Sequence, residues 1–183
     1  MIAERSRFEI VVDRVARAIV RRWLGITATI LALYAGLPWL SPLLRSWGYE
    51  ALGVRIFEMY ARLCHQFPER SFFVGDYQVC YCHRCTALYT SLLFMTLLYA
   101  LIRWQRPISR RVLVLLTLPI VIDGTWHLLD DALPWTLRSV DSSVGSLNFW
   151  IRMATGMLVA IGVIAWAYPR LERELRQIEP QAA

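Results

Sequence analysis

Four stretches of this chain are long, apolar and almost free of charge, and they limit the fold more than any other feature. They cover residues 23–40, 84–104, 112–129 and 149–168, and Asp123 interrupts the third. A membrane-spanning helix needs about 20 predominantly apolar residues. A composition of 57% hydrophobic residues is also too apolar for a soluble domain of this size. The pattern predicts an all-α integral membrane protein, a four-helix bundle with four spans in the lipid bilayer.

The basic residues, all of which are arginines, predict how the spans are oriented. Six precede the first span, four lie in the short turn 103–111, and three follow the last span. The positive-inside rule then places both termini in the cytoplasm and the long loop 41–83 outside the membrane. Arginines that face anionic lipid account for the net charge of +6, so no nucleic-acid partner is expected.

The segments outside the spans are expected to be short helices and turns. Residues 1–22 have the pattern of a cytoplasmic amphipathic helix, and an N-terminal extension of the first span fits them equally well. Two prolines in residues 36–42 are expected to end that span. Residues 49–63 predict a second amphipathic helix, which would deliver Cys64 and His65 to its C-terminal end. Residues 169–183 form a cytoplasmic tail, and the membrane domain is residues 23–168.

All four cysteines, Cys64, Cys80, Cys82 and Cys85, lie within 22 residues. A Cys-His pair followed by Cys-x-x-Cys has the spacing of a metal site or of a redox site. Either kind of site would lie at the extracytoplasmic surface of the membrane, where the second span begins. His83, between two of the cysteines, is expected to point away from them towards solvent or lipid headgroups.

Polar residues inside the spans point to the same end of the bundle. Asp123 and His127 share one face of the third span, and Asn148 and Arg152 share one face of the fourth. A charge in hydrocarbon is costly and is usually kept for a site or for a buried pair. We expect these residues to face a site between the helices, and we hypothesise that Asp123 pairs with Arg152.

The sequence resembles a family of small bacterial membrane proteins known only as a domain of unknown function. The resemblance rests on the motifs Cys-His-Gln-Phe-Pro-Glu-Arg-Ser from residue 64, Cys-His-Arg-Cys-Thr from residue 82, Asp123-Gly124, and Asn148 with Arg152, Thr155 and Gly156. It implies a location in the bacterial cytoplasmic (inner) membrane, and it implies that the signature positions are Cys64, His65, Cys82, Cys85, Asp123, Asn148 and Arg152. The chain departs from the family pattern at Ala87, His127 and Cys80.

Three functions fit the cluster. Cys64, His65, Cys82 and Cys85 are a complete ligand set for zinc, although adjacent side chains diverge, so His127 or a carboxylate is an alternative fourth ligand. A water in that position would make the site catalytic, with Asp123 or Glu69 as the base. The second function is thiol-disulfide exchange with quinone through Cys82 and Cys85. The third is an accessory subunit braced by structural disulfides. The sequence names no reaction and leaves open a membrane complex or a homo-oligomer.

Overall fold

The protein is mostly helical. A computed structural model describes residues 7–132 and 141–178. The elements in chain order are α1 (Arg7–Ser46), α2 (Glu50–Tyr60), a 3₁₀ turn (Pro68–Arg70), β1 (Ser71–Val74), β2 (Tyr77–Cys82), α3 (His83–Ile102), α4 (Arg110–Ala132) and α5 (Leu147–Ile178).

Among the described residues, three helical segments are long and apolar enough to cross a membrane. They are Arg14–Ser46 in α1, His83–Ile102 in α3 and Leu147–Gln177 in α5. The prediction of a mostly helical membrane protein is therefore confirmed, whereas the fourth span, in α4, stays a prediction.

The long helices pack side by side and leave much apolar surface on the outside. Helix α5 packs against both α3 and α4, α3 also packs against α1, and α2 lies along α1. Phe94, Leu101 and Leu115 are each more than 60% exposed. Apolar side chains left in this number on the outside of the helices are typical of a surface that faces lipid.

Helix α1 continues past the two prolines that were expected to end it. It runs without a break from Arg7 to Ser46, so residues 7–22 join the first predicted span directly. Pro38 and Pro42 are fully buried, and the Ser41 hydroxyl donates a hydrogen bond to the Gly53 carbonyl of α2 at 2.8 Å. Proline interrupts a helix by removing one backbone hydrogen bond. We attribute the continuation of α1 to this packing against α2, which the local sequence does not reveal.

A β-hairpin lies in the middle of the predicted helical chain, so the all-α fold class was wrong for residues 71–82. Strands β1 and β2 are antiparallel, with Ser71 opposite Cys82 and Val74 opposite Tyr77. Gly75 turns the chain with a φ of 59°, a conformation that glycine adopts at little cost. Aromatic and β-branched residues on both sides of this Gly-Asp turn were the available signal.

At the end of the bundle away from the cysteines, a buried carboxylate joins α3 to α5. Helix α5 continues through Pro169 beyond its predicted span, and Glu172 is 2% exposed. The Tyr99 hydroxyl donates to this carboxylate at 2.5 Å, and Arg103 and Arg176 each pair with it at 2.7 Å. A buried carboxylate needs such partners to remain charged. The cluster fixes this end of α3 against α5.

Near the cysteines, α3 and α5 approach each other at Gly156. A Cβ atom at this position would lie 2.5 Å from the Arg84 carbonyl oxygen and 3.2 Å from the Ala87 Cβ. Only a glycine fits without movement of the α3 backbone. Gly156 is therefore the position that permits the close packing of α3 against α5.

We predict that Gly156→Ala destabilises the protein by about 1–3 kcal/mol, the usual range for overpacking a tight contact. Gly25→Ala is the matched control, because a Cβ at Gly25 in α1 meets nothing within 4 Å. Thermal unfolding in detergent, followed by the fluorescence of the eight tryptophans, measures both variants. Equal melting of the two variants would contradict the close approach of α3 and α5.

Candidate metal centre

Three cysteines from different segments meet at one end of the bundle. Cys64 follows α2, and its N–H donates to the Tyr60 carbonyl at 3.0 Å. Cys82 ends β2, and Cys85 lies in the first turn of α3. The three Sγ atoms all lie within 4.8 Å of one another. The turn after α2 and the hairpin therefore bring Cys64 to two thiols that lie 18 residues or more further along the chain.

The spacing of the three sulfurs suits a metal ion. Zinc binds thiolates at about 2.3 Å, and a tetrahedral site then holds them roughly 3.8 Å apart. All four cysteines are free thiols. Among the described residues, no histidine nitrogen or carboxylate joins the group of three sulfurs. A site with three protein ligands leaves a fourth position for water or another ligand.

The pKa values of Cys64 and Cys82 are shifted in opposite directions. Hydrogen bonds with the Cys64 thiol and then the Cys85 thiol hold the pKa of Cys82 well below its usual range. The bond between Cys64 and Cys82 has the opposite effect on Cys64 and raises its pKa. The Cys82 backbone N–H also donates to the Cys64 sulfur at 3.3 Å. These hydrogen bonds thus favour the thiolate form of Cys82, the form that binds metals and reacts as a nucleophile.

Cys80 is separate from this group. It is fully buried beside Tyr60 and Tyr81, and its thiol faces Ser41. Burial raises the pKa of this thiol to about 11. Cys80 is therefore a neutral core residue.

The loop that carries Cys64 is held by two glutamines. Gln66 has a φ of 53°, and its side-chain amide donates to the carbonyls of Phe57 at 2.8 Å and Cys80 at 3.1 Å. The Gln78 amide donates in turn to the Gln66 carbonyl at 2.7 Å. These bonds tie the loop to α2 and to the hairpin. Sequence reasoning gave Gln66 no role beyond membership of a motif, because its partners lie in other elements.

Among the described side chains, His65 does not join the three sulfurs. His65 is exposed and stacks on Phe67, with 5.9 Å between ring centroids. It lies in the wall of the same cavity as the cysteines. His127 lies in α4, and its side chain is outside the described residues. A role for either as the fourth ligand stays a prediction.

His83 differs from its expectation. It is 1% exposed, and its ring packs against Phe72 and Phe149 with centroid distances of 4.6 and 4.8 Å. The hairpin folds over the start of α3 and covers this side chain. The prediction that His83 points towards solvent or lipid headgroups was therefore wrong.

A cavity of about 360 Å³ opens beside the sulfurs. Arg70, Arg84 and Arg152 line it together with the three cysteines. Arg84 forms an ion pair with Asp123 of α4. Arg152 is 3% exposed and lies within electrostatic reach of Asp123 and of the other two arginines. The structure thus brings Asp123 and Arg152 to the cysteine end of the bundle. It also shows that Arg84 pairs directly with Asp123, a partner that the sequence analysis did not name.

Asn148 has a different environment. It is 2% exposed, and its side-chain amide donates to the Asp141 carbonyl at 2.7 Å. The residue does not line the cavity that the cysteines share. This hydrogen bond holds the start of α5 to the segment before it.

We predict that Asp123→Asn costs about 3–5 kcal/mol, because it leaves the partly buried Arg84 guanidinium without the carboxylate of its charge pair. Adding Arg84→Gln should recover part of this loss. The exposed pair Arg45–Glu50, at 2.9 Å, is the control, and Glu50→Gln should cost at most about 1 kcal/mol. Melting curves in detergent measure the single and double variants. Strictly additive losses would show that Arg84 and Asp123 are not coupled.

The sequence has relatives among membrane proteins. The uncharacterised protein MJ1492 of Methanocaldococcus jannaschii is 28% identical over 85 residues, which cover 44% of this chain and 54% of that protein. The match thus spans about half the length of that archaeal relative. No solved structure matches the chain. Residues 64–166, which hold Cys64, Cys82, Cys85, Asp123 and Arg152, match a family described as predicted membrane proteins. Since the match covers more than half of the 183 residues, the chain belongs to this family, DUF2085.

Proposed function

We propose that this membrane protein binds a zinc-type metal ion through Cys64, Cys82 and Cys85. The observation that carries the proposal is the meeting of three sulfurs within 4.8 Å, where hydrogen bonds with the other two thiols lower the pKa of Cys82. They come from a turn, a strand end and a helix start, each held in place by contacts of its own. Ligands positioned in this way favour metal binding, because little order has to be imposed when the ion arrives.

The fourth position of the metal would face the cavity. His65, in the wall of that cavity, is one candidate ligand, and a water molecule is the other. A bound water would have its pKa lowered by the ion and would act as a nucleophile. The reaction and its substrate do not follow from this arrangement, so we restrict the proposal to metal binding.

We further propose that the site lies on the extracytoplasmic side of a cytoplasmic (inner) membrane, with four spans and both termini in the cytoplasm. The support is the distribution of arginines, which concentrate in the first part of α1, around the turn from α3 to α4, and at the end of α5. In the fold, the turn after α3 and the last part of α5 meet around Glu172, at the end away from the cysteines. The arginine-rich segments therefore share one end of the bundle.

Thiol-disulfide exchange is the second candidate. Hydrogen bonds lower the pKa of Cys82, and Cys85 lies beside it in a Cys-x-x-Cys at the start of α3. A low-pKa cysteine in this position favours redox exchange, and a membrane quinone would accept the electrons. The third candidate, an accessory subunit braced by disulfides, has less support, since all four cysteines are free thiols and Cys80 lies apart from the other three.

We predict that each of Cys64→Ser, Cys82→Ser and Cys85→Ser abolishes metal binding and lowers the melting temperature, because metal affinity contributes directly to folding. Cys80→Ser is the matched control and should keep the metal. Elemental analysis of protein purified without chelator, with a count of free thiols, measures both effects.

The same measurement separates the three candidates. Protein without metal whose Cys82–Cys85 disulfide cycles under quinone would replace the metal site with an oxidoreductase. Two inert disulfides in the parent, with equal losses from all four serine variants, would replace it with the braced accessory subunit.

We predict that Asp76→Cys is labelled by a membrane-impermeant thiol reagent in intact cells and that Gln105→Cys is labelled only after the membrane is opened. Both positions are exposed, one in the hairpin turn and the other in the turn after α3. Labelling is compared with the parent, whose own cysteines set the background. The reverse pattern would invert the proposed topology.

A further inference from the structure

Positive charge is concentrated in the wall of the cavity beside the sulfurs. Three of its lining residues are arginines, Arg70, Arg84 and Arg152. Asp123 pairs with Arg84, and a Glu69 carboxylate oxygen lies 3.8 Å from the Arg70 Nε atom. Like charges in a partly buried site repel one another strongly. A cluster of this kind is stable only when anions balance it.

Hydrogen-bond donors give the same result independently. The Nε–H groups of Arg70 and Arg84 are buried and have no acceptor among the described residues. Arg70 otherwise lies over the Phe67 ring at 5.0 Å, and its nearest carboxylate, on Glu69, is 3.8 Å away. Buried donors normally have partners, and charged donors without them are costly. Small rotations of these guanidinium groups would offer their donors to a ligand in the cavity.

We propose that this cavity binds an oxyanion, a carboxylate or phosphate group, held by Arg70, Arg84 and Arg152 beside the three sulfurs. Guanidinium groups bind both kinds of anion in a fork of two parallel hydrogen bonds. The volume of about 360 Å³ accommodates such a group together with part of the molecule that carries it. The inference deepens the proposed function, and it rests on that function for the position of the anion beside a metal.

The test is equilibrium binding to the full chain in neutral detergent and low-chloride buffer, after the metal content has been measured. Inorganic phosphate, acetate and short-chain phosphatidylglycerol are the probes. We expect at least one to bind, and Arg70→Gln to weaken it about tenfold, as for the loss of one charge-assisted hydrogen bond. Arg55→Gln, an exposed position on α2, is the control and should bind like the parent. Arg152→Lys, which keeps the charge but loses the fork, should also bind more weakly.

The outcomes separate the ligand sources and the two proposals. Binding of phosphate or acetate alone indicates a soluble ligand, and binding of phosphatidylglycerol alone indicates a lipid headgroup. Binding that persists in protein without metal, with the loss in Arg70→Gln, would retain the anion site and reject the metal site. No binding of any probe, or equal binding by Arg70→Gln and Arg55→Gln, would overturn the inference whether or not metal is present.

Discussion

The contact between α3 and α5 at Gly156 determines where the charged groups of the cysteine end lie. The α3 backbone at Arg84 rests directly against α5, one helical turn from Arg152. Arg84 and Cys85 are neighbours in the chain, so the same contact also sets the distance between the sulfurs and the arginines. Ala87 is tolerated beside this contact because its methyl group faces a residue without a side chain. The cavity is thus a product of backbone packing more than of the side chains that line it.

Much of this arrangement follows from sequence, where the signal is local. The apolar runs predict helices that the structure contains, and the amphipathic segment 49–63 correctly predicts α2 and the delivery of Cys64. The clustering of Cys64, Cys82 and Cys85 along the chain also predicts their clustering in space. These features depend on periodicity or on short separations, which a single sequence records directly.

Other features depend on partners far along the chain and do not follow from the sequence. Pro38 and Pro42 stop a helix by local rules, yet packing against α2 carries α1 past them. The position of His83 next to Cys82 predicts that it faces solvent, whereas in the structure the hairpin and Phe149 enclose it. Asp123 had several arginines available, and only the fold shows that Arg84 meets it directly across 39 residues. The hairpin is a different case, because its aromatic residues and Gly-Asp turn are local signals that the expectation of an all-helical chain outweighed.

The separation of 18 residues between Cys64 and Cys82 has a consequence for the unfolded chain. Any bridge between these two sulfurs, whether a metal or a disulfide, closes a loop that contains the 3₁₀ turn and nearly the whole hairpin. Closing a loop of this length lowers the entropy of the unfolded chain and stabilises the fold by roughly 3 kcal/mol. The hairpin is too small to be stable alone. The stability of the hairpin is therefore coupled to the chemical state of two sulfurs that lie outside its turn.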